Sequence, residues 1–191
     1  TTAVGGNNNT AAAPAPAYDG FTEQLLMFDS LGFYFEKPDA SAVTASEAAR
    51  SSPEVGNAAL RALLENKVKH GKKLILFPQH LPKLHPELDG VFREILSRVP
   101  NSQLVLVFGA SKKQQWKRTI EKRWRRGDSL GEALLEQTDE HGNARVVWLD
   151  NLKSQEYLAL LAAGDIMLDP FPFGGGVPTL ESLAVCTPVL T

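Results

Sequence analysis

The sequence predicts an α/β protein built on a doubly wound parallel sheet. Two features of its 191 residues carry this prediction. Short apolar segments alternate with helical segments from residue 57 to the end of the chain, an order typical of successive strand–helix–strand units. The strand segments are also apolar throughout instead of alternating with polar residues, which is expected when helices cover both faces of a sheet.

The first half of this alternation begins with an amphipathic helix. Apolar residues at helical spacing follow Asn57, and Gly71 can end the helix. Pro86 fits the first turn of the next helix, in which Phe92 and Leu96 share one face. The predicted elements are a helix from residue 57 to Gly71, a strand over Lys73–Phe77, a helix over 86–99, a strand over 103–108 and a helix over 114–126.

The second half repeats the pattern. Ser154 can cap a helix that carries Tyr157, and Gly164 can end it. Cys186, the single cysteine, is expected to be buried and inert in the last helix. The predicted elements are a helical stretch over 129–137, a strand over 145–149, a helix from Ser154 to Gly164, a strand over Ile166–Leu168, a helix over 177–185 and a strand from residue 188.

Three regions differ in composition. Residues 1–17 consist of Thr, Ala, Gly, Asn and Pro with one Val, so we expect a low-complexity linker. Residues 18–56 join an aromatic cluster to an Ala-, Ser- and Pro-rich loop, and residues 57–191 hold the sheet. Because the sequence begins without Met and ends at Thr191 inside an apparent strand, we expect a fragment whose sheet domain is truncated at its carboxyl end.

Composition argues against several classes of protein. Lys and Arg total 20 against 22 Asp plus Glu, and the resulting net charge of −2 argues against nucleic acid as the main partner. A single cysteine excludes an intramolecular disulfide framework and a Cys-rich zinc site. No apolar run approaches the roughly 18–20 residues that a membrane span needs, so we expect no membrane partner.

The basic segment over 112–126 keeps a nucleic-acid alternative open. It holds eight of the 20 basic residues, together with Trp116 and Trp124, which could stack on bases. However, Trp116, Ile120 and Trp124 are spaced by four residues. The favoured interpretation is therefore one packed face on a helix whose other face is solvated.

The strongest candidate site is the loop that leads from the strand ending at Leu168 into the next helix. In doubly wound sheets the ligand lies beyond the carboxyl ends of the strands. Three glycines allow close approach of a ligand to the backbone, and the following helix start offers free N–H groups to a diphosphate. Glu181, one turn into the helix, could reach a ribose diol; the alternative is a tight strand-to-helix turn without a ligand. The loop residues concerned are Gly174, Gly175, Gly176, Val177 and Thr179.

The loop after the first strand is the second candidate. Lys83 lies between Pro82 and Pro86, where it could neutralise a leaving diphosphate or could simply be a solvated lysine. A metal site built from His80, His85 and Asp89 is disfavoured, because one loop would have to supply all the ligands. Tyr157, further along the chain, could stack on a base or face the core.

Several strings resemble the protein O-GlcNAc transferase family, the family 41 glycosyltransferases of GT-B fold. The match is loose over 21–38 and better over 73–191. The resemblance implies a Rossmann-like lobe with a UDP-sugar site in a two-lobe enzyme, and residues 18–56 would cross between the lobes. The strings are Lys83-Leu84-His85-Pro86, residues 95–102, Leu168-Asp169 with the glycine loop, and residues 187–191.

The resemblance also implies residue roles. Lys83 matches the lysine that stabilises the leaving diphosphate, and His80 matches a polar position near the same phosphates. Tyr157 falls where the family places a histidine against the uracil, and Glu181 matches the acidic residue that holds the ribose. The sequence departs from the family where a histidine and two threonines are usual, and Thr179 then supplies the nearest hydroxyl; the departing residues are Gly176, Val177 and Pro178.

The expected function is transfer of a sugar, GlcNAc in the first place, from a UDP-sugar to Ser or Thr hydroxyls of an acceptor protein or peptide. UDP-glucose or GDP-fucose as donor, and an inactive nucleotide-sugar-binding or scaffolding domain, are the alternatives. The resemblance further implies that no metal or other cofactor is needed, that tetratricopeptide repeats lie elsewhere in the full chain, and that the protein is cytoplasmic or nucleocytoplasmic. This piece alone is expected to be inactive.

Overall fold

A computed structural model describes Asp29 and residues 34–38, 56–108, 113–126, 135–150 and 152–191 of the chain. The predicted linker over 1–17, nearly all of the segment over 18–56 and most of the helical stretch over 129–137 lie outside these residues. The sheet and its helices belong to one compact unit, Phe35–Thr191.

The sheet has five parallel strands in the order β3–β2–β1–β4–β5. The chain therefore runs outward from β1 to β3 and returns to the other side of β1, so that the strand order reverses between β1 and β4. This confirms the predicted doubly wound α/β class, and the reversal marks where such sheets bind ligands. The strands are β1 (Lys73–Phe77), β2 (Ser102–Phe108), β3 (Val146–Asp150), β4 (Ile166–Leu168) and β5 (Val189–Leu190).

Five helices and one 3₁₀ turn of the described residues surround the sheet, within a few residues of the predicted bounds. Asn57 caps the first helix by accepting a hydrogen bond from the Leu60 amide at 3.0 Å, and Gly71 ends it with a φ of 63°. The helices are α1 (Ala58–His70), α2 (Glu87–Arg98), α3 (Lys113–Arg126), α4 (Ser154–Ala163) and α5 (Val177–Ala184), and the 3₁₀ turn is Leu81–Lys83.

Two local predictions are wrong. The cap of α4 is Lys153 and not Ser154, because the carboxylate of Glu156 accepts from the Lys153 amide at 2.9 Å and thereby fixes the helix start one residue earlier. Cys186 is exposed and lies beyond α5 with a φ of 64°, so it is neither helical nor buried.

The core consists of two clusters, one on each face of the sheet. Side chains along β1 alternate between them: Leu74 and Leu76 pack with α1 and α4, whereas Ile75 and Phe77 pack with α2 and α3. Because the strands bury both faces, their sequences are continuously apolar, which is why the pattern predicted the class correctly.

The basic helix α3 has a packed face, as the favoured interpretation expects. Ile120 and Trp124 are buried, whereas Trp116 remains 44% exposed, so the predicted stripe is only partly packed. The guanidinium of Arg123 binds both carboxylate oxygens of Asp89 at 2.8 and 2.7 Å and donates to the Leu84 carbonyl at 3.2 Å. One of the basic residues of this helix therefore fixes the loop that carries Lys83.

Candidate functional site

A cavity of about 910 Å³ opens at the carboxyl edge of the sheet. The loop after β1 and helix α5, on either side of the point where the strand order reverses, supply polar side chains, and the start of α4 supplies Ser154 and the ring of Tyr157. Its lining includes Gln79, His80, Lys83, Ser154, Tyr157, Val177, Pro178 and Glu181, together with Val107, Phe108 and Leu152.

Lys83 reaches the cavity from the 3₁₀ turn. Leu81 and Leu84 are both buried and anchor the turn from either side. The Lys83 amide donates to the His80 carbonyl at 2.8 Å, which closes the turn. The Lys83 ammonium donates to the carbonyl of Gly174 at 2.7 Å and lies 4.5 Å from the centre of the Phe173 ring. The lysine and the glycine loop, predicted as two separate candidates, are thus in direct contact.

The glycine loop is closed on itself by Asp169, the first residue after β4. Its Oδ1 accepts a hydrogen bond from the Gly175 amide at 2.6 Å and from the Thr179 hydroxyl at 3.4 Å. Consequently, the only loop hydroxyl near the helix start is directed to a protein carboxylate. Neither Thr179 nor any of the three glycines belongs to the described residues that line the cavity.

Helix α5 begins at the loop with its first N–H groups uncapped. Gly176, the N-cap, has no side chain to accept them, and Pro178 has no N–H of its own. The amides of Thr179 and Leu180 are both directed to the Gly176 carbonyl, at 3.0 and 3.3 Å. The amide of Val177, which lines the cavity, has no partner among the described residues and is available to an anion.

Burial shifts the two titratable groups at the far wall of the cavity. It raises the pKa of Tyr157 well above its ordinary value, and the nearby charge of Glu181 raises it further. Burial also raises the pKa of Glu181. Tyr157 is therefore a neutral hydroxyl that can donate, and the Glu181 carboxylate receives no hydrogen bond from a described residue.

The structure brings Lys83, His80, Tyr157, Val177 and Glu181 around one space. The three glycines and Thr179 do not line that space, and Gly175 and Thr179 are bonded to Asp169 instead.

Sequence reasoning missed three residues of the site. Gln79 is 2% exposed, and its Nε2 has no hydrogen-bond partner among the residues that the structure describes. Asp169 shapes the glycine loop, and Ser154 lines the cavity. A polar residue within two positions of the end of a buried strand was the available signal for Gln79 and Asp169, because such residues lie at the edge where ligands bind.

No group of three or more His, Cys, Asp and Glu side chains suited to a metal occurs within the described ranges. Asp89, one of the metal ligands considered from the sequence, is paired with Arg123 instead. In the same part of the chain, none of the helices has the length and hydropathy that a bilayer crossing requires.

Known proteins resemble this chain in structure. A UDP-forming α,α-trehalose-phosphate synthase from Burkholderia xenovorans is 18% identical with a TM-score of 0.53, over 76% of this chain and 32% of that one. An α,α-trehalose 6-phosphate synthase from Burkholderia multivorans is 15% identical with a TM-score of 0.52, over 76% and 31%. A mutant O-GlcNAc transferase from Thermobaculum terrenum is 24% identical with a TM-score of 0.48, over 63% and 21%.

No protein-family model matches the sequence, and no curated protein is similar to it. The chain spans between about a fifth and a third of the length of the three structures. The two synthases share its fold at low identity, which supports the predicted Rossmann-like lobe of GT-B type. At this level of identity the likeness concerns the fold alone.

Proposed function

We propose that this chain is the donor-binding lobe of a glycosyltransferase that transfers a sugar, GlcNAc in the first place, from a UDP-sugar to Ser or Thr hydroxyls of an acceptor protein. One observation carries the proposal. The cavity at the reversal of strand order joins a cation, an uncapped helix start, an aromatic ring and an uncompensated carboxylate. Those are the four kinds of group that a diphosphate, a base and a ribose need.

The roles follow from charge and position. When the oxygen of an acceptor hydroxyl attacks the anomeric carbon, the bond to the diphosphate oxygen breaks, the hydroxyl proton is released to solvent, and negative charge grows on UDP. Lys83 and the Val177 amide are fixed donors that stabilise this charge, and His80 lies beside them. Glu181 accepts from the ribose hydroxyls, and the ring of Tyr157 faces the base. No metal or other cofactor enters this scheme.

A second candidate is a nucleotide-sugar-binding domain without turnover. The observation that favours it is the loop itself: Gly176, Val177 and Pro178 offer no hydroxyl, and the Thr179 hydroxyl is bonded to Asp169. Within the enzyme class, UDP-glucose and GDP-fucose remain alternative donors. An acceptor protein, tetratricopeptide repeats elsewhere in the full chain and a cytoplasmic or nucleocytoplasmic location belong to the same proposal.

Isothermal calorimetry of the chain with UDP tests the site. Glu181→Gln keeps the shape of the side chain and removes the charge that accepts from the ribose, so UDP affinity should fall about tenfold or more. Glu94→Gln, at an exposed carboxylate of α2 paired with Arg98, is the matched control and should bind as the wild type does. Equal affinity in all three proteins would refute the ribose role, and preference for GDP would change the donor class.

Transfer of labelled sugar to peptide by the full-length protein separates the enzyme from the binding domain. Transfer from UDP-GlcNAc is the expected result. UDP binding without turnover of any UDP- or GDP-sugar would establish the second candidate.

A further inference from the structure

Two side chains that follow different strands lie against the glycine loop. Asp169 follows β4 and Gln79 follows β1, and both lie against Gly175. A Cβ on Gly175 would be 2.2 Å from Thr179 Oγ1, 2.6 Å from Asp169 Oδ1 and 2.7 Å from Gln79 Nε2. These distances are shorter than real Cβ contacts, so a larger residue would force the loop or these three side chains to shift.

Of these two side chains, only Asp169 forms a hydrogen bond with the loop among the described residues, and Lys83 adds its bond to the Gly174 carbonyl. Gln79 packs against Gly175, but its Nε2 donates to no described residue. The 2.6 Å contact from the Gly175 amide to a carboxylate is a charge-assisted hydrogen bond, a class roughly twice as strong as a neutral one. The loop conformation is therefore fixed from Asp169 and not from the glycines themselves.

This bond changes which amides can meet a phosphate. The sequence suggested a diphosphate at the three glycines and the N–H groups of the helix start, yet the Gly175 amide is already occupied. Beyond it, the Gly176 carbonyl receives the amides of Thr179 and Leu180, and the amide of Val177, a residue that lines the cavity, has no partner among the described residues. The Gly174 carbonyl, on the other side, receives Lys83.

We propose that Asp169 is a positioning residue of the donor site: by pinning the Gly175 amide, it sets the Lys83 ammonium and the Val177 amide as the two donors for the diphosphate. This inference rests on the proposed function. It also has a cost, because a carboxylate near a diphosphate repels it. The geometric contribution of Asp169 must therefore outweigh the repulsion by its charge.

Two substitutions separate geometry from charge. Asp169→Asn keeps Oδ1 as an acceptor for the Gly175 amide and removes the charge. Asp169→Ala removes both. Gly175→Ala is the steric counterpart. Its new Cβ forces the loop away from Asp169 and Gln79, while both of these residues keep their own side chains.

Hydrogen exchange of the Gly175 amide gives a readout that is independent of any ligand. Exchange in Asp169→Ala should be at least tenfold faster than in the wild type, whereas exchange in Asp169→Asn should be within threefold of the wild type. UDP affinity, measured on the same proteins, should fall tenfold or more in Asp169→Ala and in Gly175→Ala. In Asp169→Asn it should equal or exceed that of the wild type, and Glu94→Gln serves as control for loss of a remote charge.

The other outcomes would contradict either the role of Asp169 or the proposed function. Unchanged exchange in Asp169→Ala would show that the carboxylate does not hold the loop, and tighter UDP binding in that variant would make Asp169 a competitor of phosphate; either result overturns the inference. If the wild type does not bind UDP, the proposed function fails, and the exchange data alone then decide whether Asp169 pins the loop.

Discussion

The two edges of the sheet contain similar charged residues that are used in different ways. At the amino edge, where the strands begin, buried charges are paired within the protein. At the carboxyl edge, around the cavity, the Glu181 carboxylate and the Val177 amide have no hydrogen-bond partner within the described part of the chain. The difference separates residues that stabilise the fold from residues that are available to a ligand.

The amino edge is closed by hydrogen bonds. Lys72 and Asp139 are each 2% exposed and lie 3.1 Å apart. The carboxylate of Asp139 also accepts from the amides of Asn143 and His141 at 2.9 and 2.8 Å. Arg145, buried nearby, donates to the Val99 carbonyl at 2.7 Å and to the Ser102 carbonyl at 3.2 Å.

Two acids, one at each edge, show the contrast in the opposite directions of their pKa shifts. Burial alone would raise the pKa of Asp139, but hydrogen bonds from Asn143, Lys72 and His141 outweigh burial and hold its pKa far below the ordinary value. Burial raises the pKa of Glu181, and no hydrogen bond opposes it. A bound ligand with hydroxyl donors, such as a ribose, would supply at the carboxyl edge what protein groups supply at the amino edge.

Breaking the amino edge should have the largest effect on stability. Asp139→Ala leaves the ammonium of Lys72 buried without a counter-charge, which typically costs about 3–5 kcal/mol of unfolding free energy. Urea denaturation of the chain measures this value. The exposed neighbour Glu140 provides the control, because Glu140→Ala should change the free energy by less than about 0.5 kcal/mol. Similar values for the two variants would contradict the assignment of this edge to stability.

At the carboxyl edge, Lys83→Ala should act on turnover and leave stability nearly unchanged. Loss of one donor to a charge that develops in the transition state lowers the rate by roughly 10²–10³-fold. The rate of sugar transfer by the full-length protein and the melting temperature of the chain test both halves. Lys122→Ala, at an exposed lysine of α3, is the control. A rate within a few-fold of the wild type would make Lys83 a solvated loop lysine.

The pH dependence of UDP binding should reveal Glu181. Because burial raises its pKa, the carboxylate takes up a proton at a higher pH than an ordinary glutamate, whose pKa is about 4.3. As the pH falls, the UDP affinity of the wild type should approach that of Glu181→Gln. This decline should begin at a higher pH than it would for a glutamate of ordinary pKa. The same shift makes folding slightly less favourable as the pH rises through this range, since the folded form binds the proton more tightly. A ratio of the two affinities that stays constant down to the lowest pH at which the chain remains folded would show that the Glu181 charge does not contribute to UDP binding.

Tyr157→Phe should give the smallest effect. The variant keeps the ring against the base and removes one neutral hydroxyl, whose hydrogen bond is worth about 0.5–1.5 kcal/mol. We expect UDP affinity to fall by no more than about tenfold, and Tyr157→Ala to weaken it further because the ring is lost. Equal losses in the two variants would assign the whole contribution to the hydroxyl.

The sequence was sufficient for the fold because both faces of the strands are buried, so Leu74 to Phe77 could be read as a buried strand directly. It also singled out the two loops that the structure brings into contact through Lys83 and Gly174, because glycines and prolines mark strand ends. It could not show that Asp169 occupies the Gly175 amide, since a bond across six residues depends on the path of the loop. The predictions for Cys186 and Trp116 failed for a related reason. Helical spacing does not show that α5 ends before Cys186, and it does not show that the first turn of α3 leaves Trp116 exposed.

Chemical-shift mapping of ¹⁵N-labelled chain during a UDP titration tests the division between the two edges most directly. The amide resonances of Val177 and Glu181 should shift with a saturable dependence on UDP, while those of Gly142 and Asn143 at the amino edge should remain in place. Shifts concentrated at Gly142 and Asn143, or no saturable shift at Val177 and Glu181, would contradict the assignment of the carboxyl edge to a nucleoside diphosphate.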